Sequence, residues 1–170
     1  GSKWQIYRPG KAFVDPDTKE VLGIEVAYLG NAEVTDFADV STIAITSSVQ
    51  EIYKGDRLVA PSGETISNYL PRAPETSIAA SVISVYGGVS QAGQNTIITL
   101  NKGARDGLQS GHVLALYRKG ETIKNEGKNL TLPDEHYGML FVFRVFNKVS
   151  YALVMQTHLP VQLLDHAKTP

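Results

Sequence analysis

Apolar and polar residues alternate along most of this chain, in short runs separated by Gly, Pro, Asn and Asp. A period of two puts successive side chains on opposite faces of a strand, so the pattern predicts β structure almost throughout. Trp4 to Tyr7 alternates, Pro9-Gly10 breaks the run, and Lys11 to Val14 resumes it. Asp15-Pro16-Asp17-Thr18 predicts a tight turn, because Pro presets φ and the Asp side chains can bond the backbone. Val21 to Ala32 reads as a long strand with Gly23 and Gly30 as bulge positions. Val40 to Val49 follows, where Val40, Thr42, Ala44 and Thr46 alternate against Ile43 and Ile45, and Arg57 to Ala60 ends the unit.

Residues 61–80 change character: three prolines and several Ser and Thr predict a surface connector, pinned to a core edge by Tyr69-Leu70. Beyond it, Ser81 to Tyr86, Thr96 to Asn101 and Val113 to Tyr117 read as strands. Arg118 to His136 is polar and predicts a long loop or a projecting hairpin. Met139 to Phe146 and Val149 to Gln156 form the clearest hairpin, turning at Asn147-Lys148. Both of its strands carry apolar residues on both faces, which predicts burial on two sides at the centre of the core.

These elements predict an all-β fold of two small barrel-like or sandwich-like lobes with little helix. The N-terminal lobe spans 3–61, the connector 62–80 and the C-terminal lobe 81–170, with its central hairpin at 139–156. Gly1-Ser2 reads as an expression scar. One internal echo fits two related lobes: Thr42 to Ile45 followed by Lys54-Gly55-Asp56-Arg57-Leu58-Val59-Ala60 parallels Ile97 to Leu100 followed by Ser110-Gly111-His112-Val113-Leu114-Ala115.

Composition narrows the chemistry. A hydrophobic fraction of 42% is enough for a real core. A net charge of −1 gives no electrostatic drive toward nucleic acid or an anionic membrane. The absence of cysteine removes disulfides, thiolate catalysis and Cys-based metal sites. No apolar run is long enough to span a bilayer as a helix.

Catalytic motifs are near misses only. Gly88-Val89-Ser90-Gln91-Ala92-Gly93 is one residue too long for a nucleophile elbow and lacks a following helix. Gly120 to Lys128 has the wrong glycine spacing for a phosphate loop, with Asn129 where a hydroxyl is needed. His112, His136, His158 and His166 show no ligand spacing and read as surface or edge residues. The paired carboxylates Asp15/Asp17, Asp36/Asp39 and Asp134/Glu135 fall in turn or loop contexts. No catalytic residue, metal or cofactor is therefore assigned.

Lys102 to Leu114 carries glycines at 103, 107 and 111. Charged neighbours exclude a lipid-exposed helix, so the expectation is a tight structural excursion. Asp106 would cap the turn, and Leu108 and Val113 would plug the barrel mouth. This Gly-Ala-x-Asp-Gly-Leu-x-x-Gly-x-Val-Leu stretch, preceded by Val82 to Gln94, resembles the C-terminal region of LysM-domain-containing proteins of Gram-negative proteobacteria. Leu132-Pro133-Asp134-Glu135-His136-Tyr137-Gly138, Phe141 to Met155, Ile6-Tyr7-Arg8-Pro9-Gly10 and Lys54-Gly55-Asp56-Arg57-Leu58 fit the same family. The resemblance runs from about Lys3 to Pro170.

The resemblance implies an exported protein of the periplasm or cell envelope that holds peptidoglycan through a LysM repeat. That repeat is absent from this fragment, so its sugar-binding residues map to no position here. A non-catalytic accessory or scaffold module is expected, presenting a surface to an envelope protein or to glycan. Tyr69, Arg72, Tyr86 and Tyr137 are the candidate binding residues, since exposed aromatics stack on sugars and anchor interfaces. An assembly component of a flagellar or secretion apparatus is the alternative, with a cell-wall hydrolase behind it.

Overall fold

A computed structural model describes residues 2–63 and 70–170. Strand accounts for 56% of the described residues and helix for 2%, so the fold is all-β. The strands in order are β1 (Lys3–Val14), β2 (Val21–Asp36), β3 (Thr42–Ser48), β4 (Arg57–Val59), β5 (Ala79–Val85), β6 (Gln91–Ala92), β7 (Ile97–Leu100), β8 (Val113–Arg118), β9 (Thr122–Asn125), β10 (Lys128–Thr131), β11 (Glu135–Val145), β12 (Ser150–Thr157), β13 (Val161–Gln162) and β14 (His166–Lys168). Among the described residues no helix is long and apolar enough to cross a membrane.

The chain forms two compact units: residues 2–12 with 24–63, and residues 13–23 with 70–170. The first is a four-stranded sheet in the order β3-β2-β1-β4. Its core is small, made by Ile6, Leu29 and Ala32 with Ile52 packed against them. β1 runs unbroken through Pro9-Gly10, where a break was expected; proline's φ suits extended chain and costs only one ladder donor. Gly30, expected as a bulge position, pairs in register with Ser48, and the close approach it allows is of another kind: a Cβ there would lie 2.1 Å from the Ser47 carbonyl oxygen.

The second unit is a closed six-stranded barrel in the order β11-β12-β7-β5-β14-β8, antiparallel throughout. Inward-facing Val82, Ile98, Leu100, Leu114, Leu116, Leu140, Val142, Ala152, Val154 and Ala167 fill it. Closure leaves each strand one inner face. The β11–β12 hairpin is therefore not buried on both sides: Leu140 and Val154 are inside, while Met139 and Met155 are 38% and 47% exposed. The polar stretch 118–136 does form a projecting hairpin, β9–β10, turning at Glu126 and Gly127, both with positive φ.

Two plugs stop the barrel. At one end Ala92 of β6 pairs with Val161 of β13, and both are buried. At the other the glycine motif makes the expected tight excursion, with Leu108 as the plug. Val113, expected beside it, is half-buried and lies outside the core, because alternation along β8 turns Leu114 and Leu116 inward instead. A single 3-10 turn covers Ala104–Asp106, Asp106 Oδ2 accepts the Gly103 N–H (3.0 Å), and Leu108 is buried in the core. Gly103 abuts backbone, with Phe146 O only 2.3 Å from where a Cβ would stand. Gly107 and Gly111 have φ of 91° and 98°, the left-handed region that glycine tolerates.

The β1–β2 hairpin tip belongs to this second unit. Phe13 and Leu22 pack with Val149 and Ile83. Asp15 Oδ1 accepts the Asp17 and Thr18 N–H groups (both 2.9 Å), which is the predicted turn. Its Oδ2 accepts Asn101 Nδ2 (3.0 Å), while Asn101 Oδ1 accepts the Ser81 N–H (2.7 Å). Glu20 takes a two-pronged bond from Arg105 and a third from Lys148, and these hold its carboxyl down to about 2. The echo noted in the sequence joins unlike places: Thr42 to Ile45 lies on an exposed edge strand, Ile97 to Leu100 inside a closed barrel.

Candidate functional site

The four predicted binding residues do not converge. Tyr69 lies outside the described residues. Arg72 bonds Gln109 Oε1 (2.6 Å), and its backbone pairs with Gly111 and Val113 where β8 begins. Tyr86 is 69% exposed but lies where β5 ends, its N–H bonded to Ile97 at the opposite end of the barrel. Leu70, expected to pin the connector, is 80% exposed.

Tyr137 is not at the surface; it is fully buried. Pairing steps from His136↔Tyr117 to Gly138↔Leu116, so Tyr137 is the extra residue of a bulge, and a bulge re-aims its side chain. Its hydroxyl donates to Asp165 Oδ2 (2.6 Å), and burial raises its pKa well above the usual value. Arg118 bonds both Asp165 oxygens (3.3 and 2.9 Å) and lies over the Tyr137 ring, and the Gln162 N–H adds a further bond. Burial pushes the Asp165 carboxyl up, but these partners hold it below its ordinary value. The network is fully paired and directly precedes β14, which makes it a latch for barrel closure.

His112 is likewise buried, not at the surface, because the Gly111 turn tucks it under Arg72. Its Nδ1 accepts the Gln109 N–H (3.1 Å), and burial, then Arg72, pushes its pKa down. Among the described residues no group of three or more His, Asp or Glu is placed to hold a metal.

Among the described residues, an arrangement suited to a ligand lies in the first unit, at a place the sequence reading passed over. A cavity of about 450 Å³ opens across its sheet, lined by Lys3, Trp4 and Gln5 of β1, Asn31 and Glu33 of β2, and Thr46 of β3, among others. Alternation places Trp4 on the face of Ile6, at the end of the small core. Its indole Nε1 is buried and has no hydrogen-bond partner among the described residues. Pairing skips from Asn31↔Ser47 to Ala32↔Ile45, so Thr46 is a bulge residue. Asn31 Nδ2 is steadied by Ser47 Oγ (3.0 Å).

An aromatic ring beside amide, carboxylate, ammonium and hydroxyl groups is suited to a ligand with apolar C–H faces and many hydroxyls. The only sequence signal for this was that Trp4 is the chain's single tryptophan. The other lining groups come from strands far apart in sequence.

No family model matches this chain. A search of curated proteins finds no match either. Function is therefore argued from the site's own chemistry.

Proposed function

We propose that the chain is a non-catalytic accessory module of a LysM-type, peptidoglycan-associated protein of the Gram-negative cell envelope, and that its own contribution is to hold glycan in the Trp4 pocket. The observation that carries this reading is the pocket itself. It brings the lone tryptophan, whose buried N–H has no partner among the described residues, together with polar residues of three adjacent strands. Wall attachment is the task of the LysM repeat outside this fragment, and the pocket adds a second, weaker hold on the same polymer. Linked weak sites raise overall retention without new contacts at either one.

Because Trp4 is the only tryptophan, its fluorescence reports on this site alone. Soluble N-acetylated glucosamine oligomers and muropeptide-derived glycans are expected to shift its emission saturably. Asn31→Ala combined with Gln5→Ala is expected to remove the response while leaving the circular dichroism spectrum intact. Unchanged emission at every glycan concentration, with equal retention of wild type and double variant on purified sacculi, refutes the reading.

A second reading, an assembly component of a periplasmic apparatus, draws support from the outer wall of the barrel. Ile97, Leu153, Phe141 and Val113 pair in a row across β7, β12, β11 and β8, all half-buried. Such a row suits a protein partner. In-cell cross-linking from Phe141 that captures an envelope protein, together with a silent Trp4, favours this second reading.

A further inference from the structure

The outer edge of the first unit's sheet carries a feature independent of the pocket proposal. β3 pairs with β2 on one side and, among the described residues, has no strand on the other. Every residue from 41 to 50 is exposed, including Ala44 and the isoleucines at 43 and 45. Exposed edges are ordinarily protected by lysine, proline or inward-pointing charge, because their unpaired N–H and C=O groups recruit another strand. From Val40 to Gln50 there is neither a charged residue nor a proline. The run is also β-branched, the composition that pairs best.

Its sequence identifies the occupant. Ser41-Thr42-Ile43-Ala44-Ile45-Thr46-Ser47 reads the same in both directions. Two antiparallel copies related by a two-fold axis at Ala44 put Ala44 opposite Ala44, Ile43 opposite Ile45, and Thr42 opposite Thr46. Such a contact is isologous: one patch meets itself. Every pair within Ser41 to Ser47 is then like with like, and both Ile–Ile and Thr–Thr pairs favour antiparallel sheets. Nothing along the edge repels, and a net charge of −1 per chain leaves little repulsion between copies. The bulge at Thr46 leaves Thr42 to Ile45 as the regular part of the edge.

We infer that β3 is a self-association surface, at which two copies of this chain join their sheets antiparallel about Ala44. Of the pocket-lining groups named above only Thr46 lies on β3, so self-association and glycan binding are separately testable.

Sedimentation of the full chain across a range of concentrations is expected to approach twice the monomer mass of 18.5 kDa. Ala44→Lys is expected to hold it at the monomer, with its circular dichroism spectrum unchanged because residue 44 is exposed and with the melting temperature no longer rising with protein concentration. The register is read with cysteine, which the chain lacks. Directly opposed residues of antiparallel strands lie about 4.5–5.5 Å apart at Cα, within disulfide reach. Ala44→Cys is therefore expected to give a covalent dimer under mild oxidation. Val40→Cys would face Ser48 of the other copy and is expected to give none. A chain that stays monomeric at all concentrations, a dimer that survives Ala44→Lys, or equal cross-linking by the two cysteine variants overturns the inference. Monomers that instead take up an uncharged extended peptide along β3 assign the edge to a different partner, and overturn it too.

Discussion

Exchanging Asn101 for Asp changes almost nothing in size and reverses the electrostatics of the hairpin dock. In the native protein the Asn101 amide donates to Asp15 and accepts from Ser81, both buried. Asn101→Asp keeps the acceptor for Ser81 and sets a second carboxylate against Asp15 Oδ2, at the 3.0 Å now spanned by a hydrogen bond. Two charges at that distance repel by about 5 kcal/mol at an effective dielectric near 20. Protonating one acid instead, from its unperturbed value of 3.8, costs about 4 kcal/mol at about pH 7 and restores a hydrogen bond. The cheaper route prevails, so the variant is expected to lose about 4 kcal/mol near neutrality, a large share of a domain's typical stability.

The pH dependence then changes sign. In the wild type the Thr18 N–H, helped by those of Asp17 and Asn101, holds the Asp15 carboxyl below 3.8 against the pull of burial. Its contribution is present above 3.8 and is lost as pH falls through the folded value. In the variant the folded acid pair holds a proton that the unfolded chain releases, so stability rises as pH falls. The slope is about 1.4 kcal/mol per pH unit, or about 2 kcal/mol recovered between about pH 7 and pH 5.5, relative to wild type. Urea unfolding followed by far-ultraviolet circular dichroism at both pH values measures the difference. A variant as stable as wild type at neutral pH, or one that tracks wild type on acidification, would show that the amide and carboxylate do not meet.

Two further outcomes test the barrel ends. Gly103→Ala must lift the 146–147 backbone and break the Ala104 and Arg105 N–H bonds to it, a cost of about 2–4 kcal/mol; an unchanged melting temperature contradicts that packing. His112 is held below its ordinary 6.5, so its contribution is full above 6.5 and falls as pH drops through the folded value. His112→Gln is expected to flatten that limb of the stability curve by up to about 1.4 kcal/mol per pH unit, and an identical limb in the variant refutes the assignment.

Much of the barrel was legible because its strands are β-branched and alternate, and the Gly103 motif was legible because tight turns need particular residues. β6, β13 and β14 were not, since strands of two or three residues show no period; the last of these is what closes the barrel. Tyr137 was expected outside because it follows directly on the polar stretch 118–136, and nothing local announces the bulge that re-aims it into the core. Ile43 and Ile45 alternate with their neighbours as a strand requires, but pattern alone does not say whether another strand covers that edge. Trp4 drew no notice because its pocket is assembled from three strands, and no local spacing records that.

The barrel's last strand, β14, is joined on both sides by strands made earlier, β5 and β8, and the Asp15 turn docks beside Asn101. A ribosome must therefore deliver residue 168 before the ring can shut. Until then the apolar lining of β5, β7 and β8 has no complete enclosure, and the Asp15 turn waits for a landing place that is translated 86 residues later. Folding of this unit is thereby postponed until its own last strand has been made.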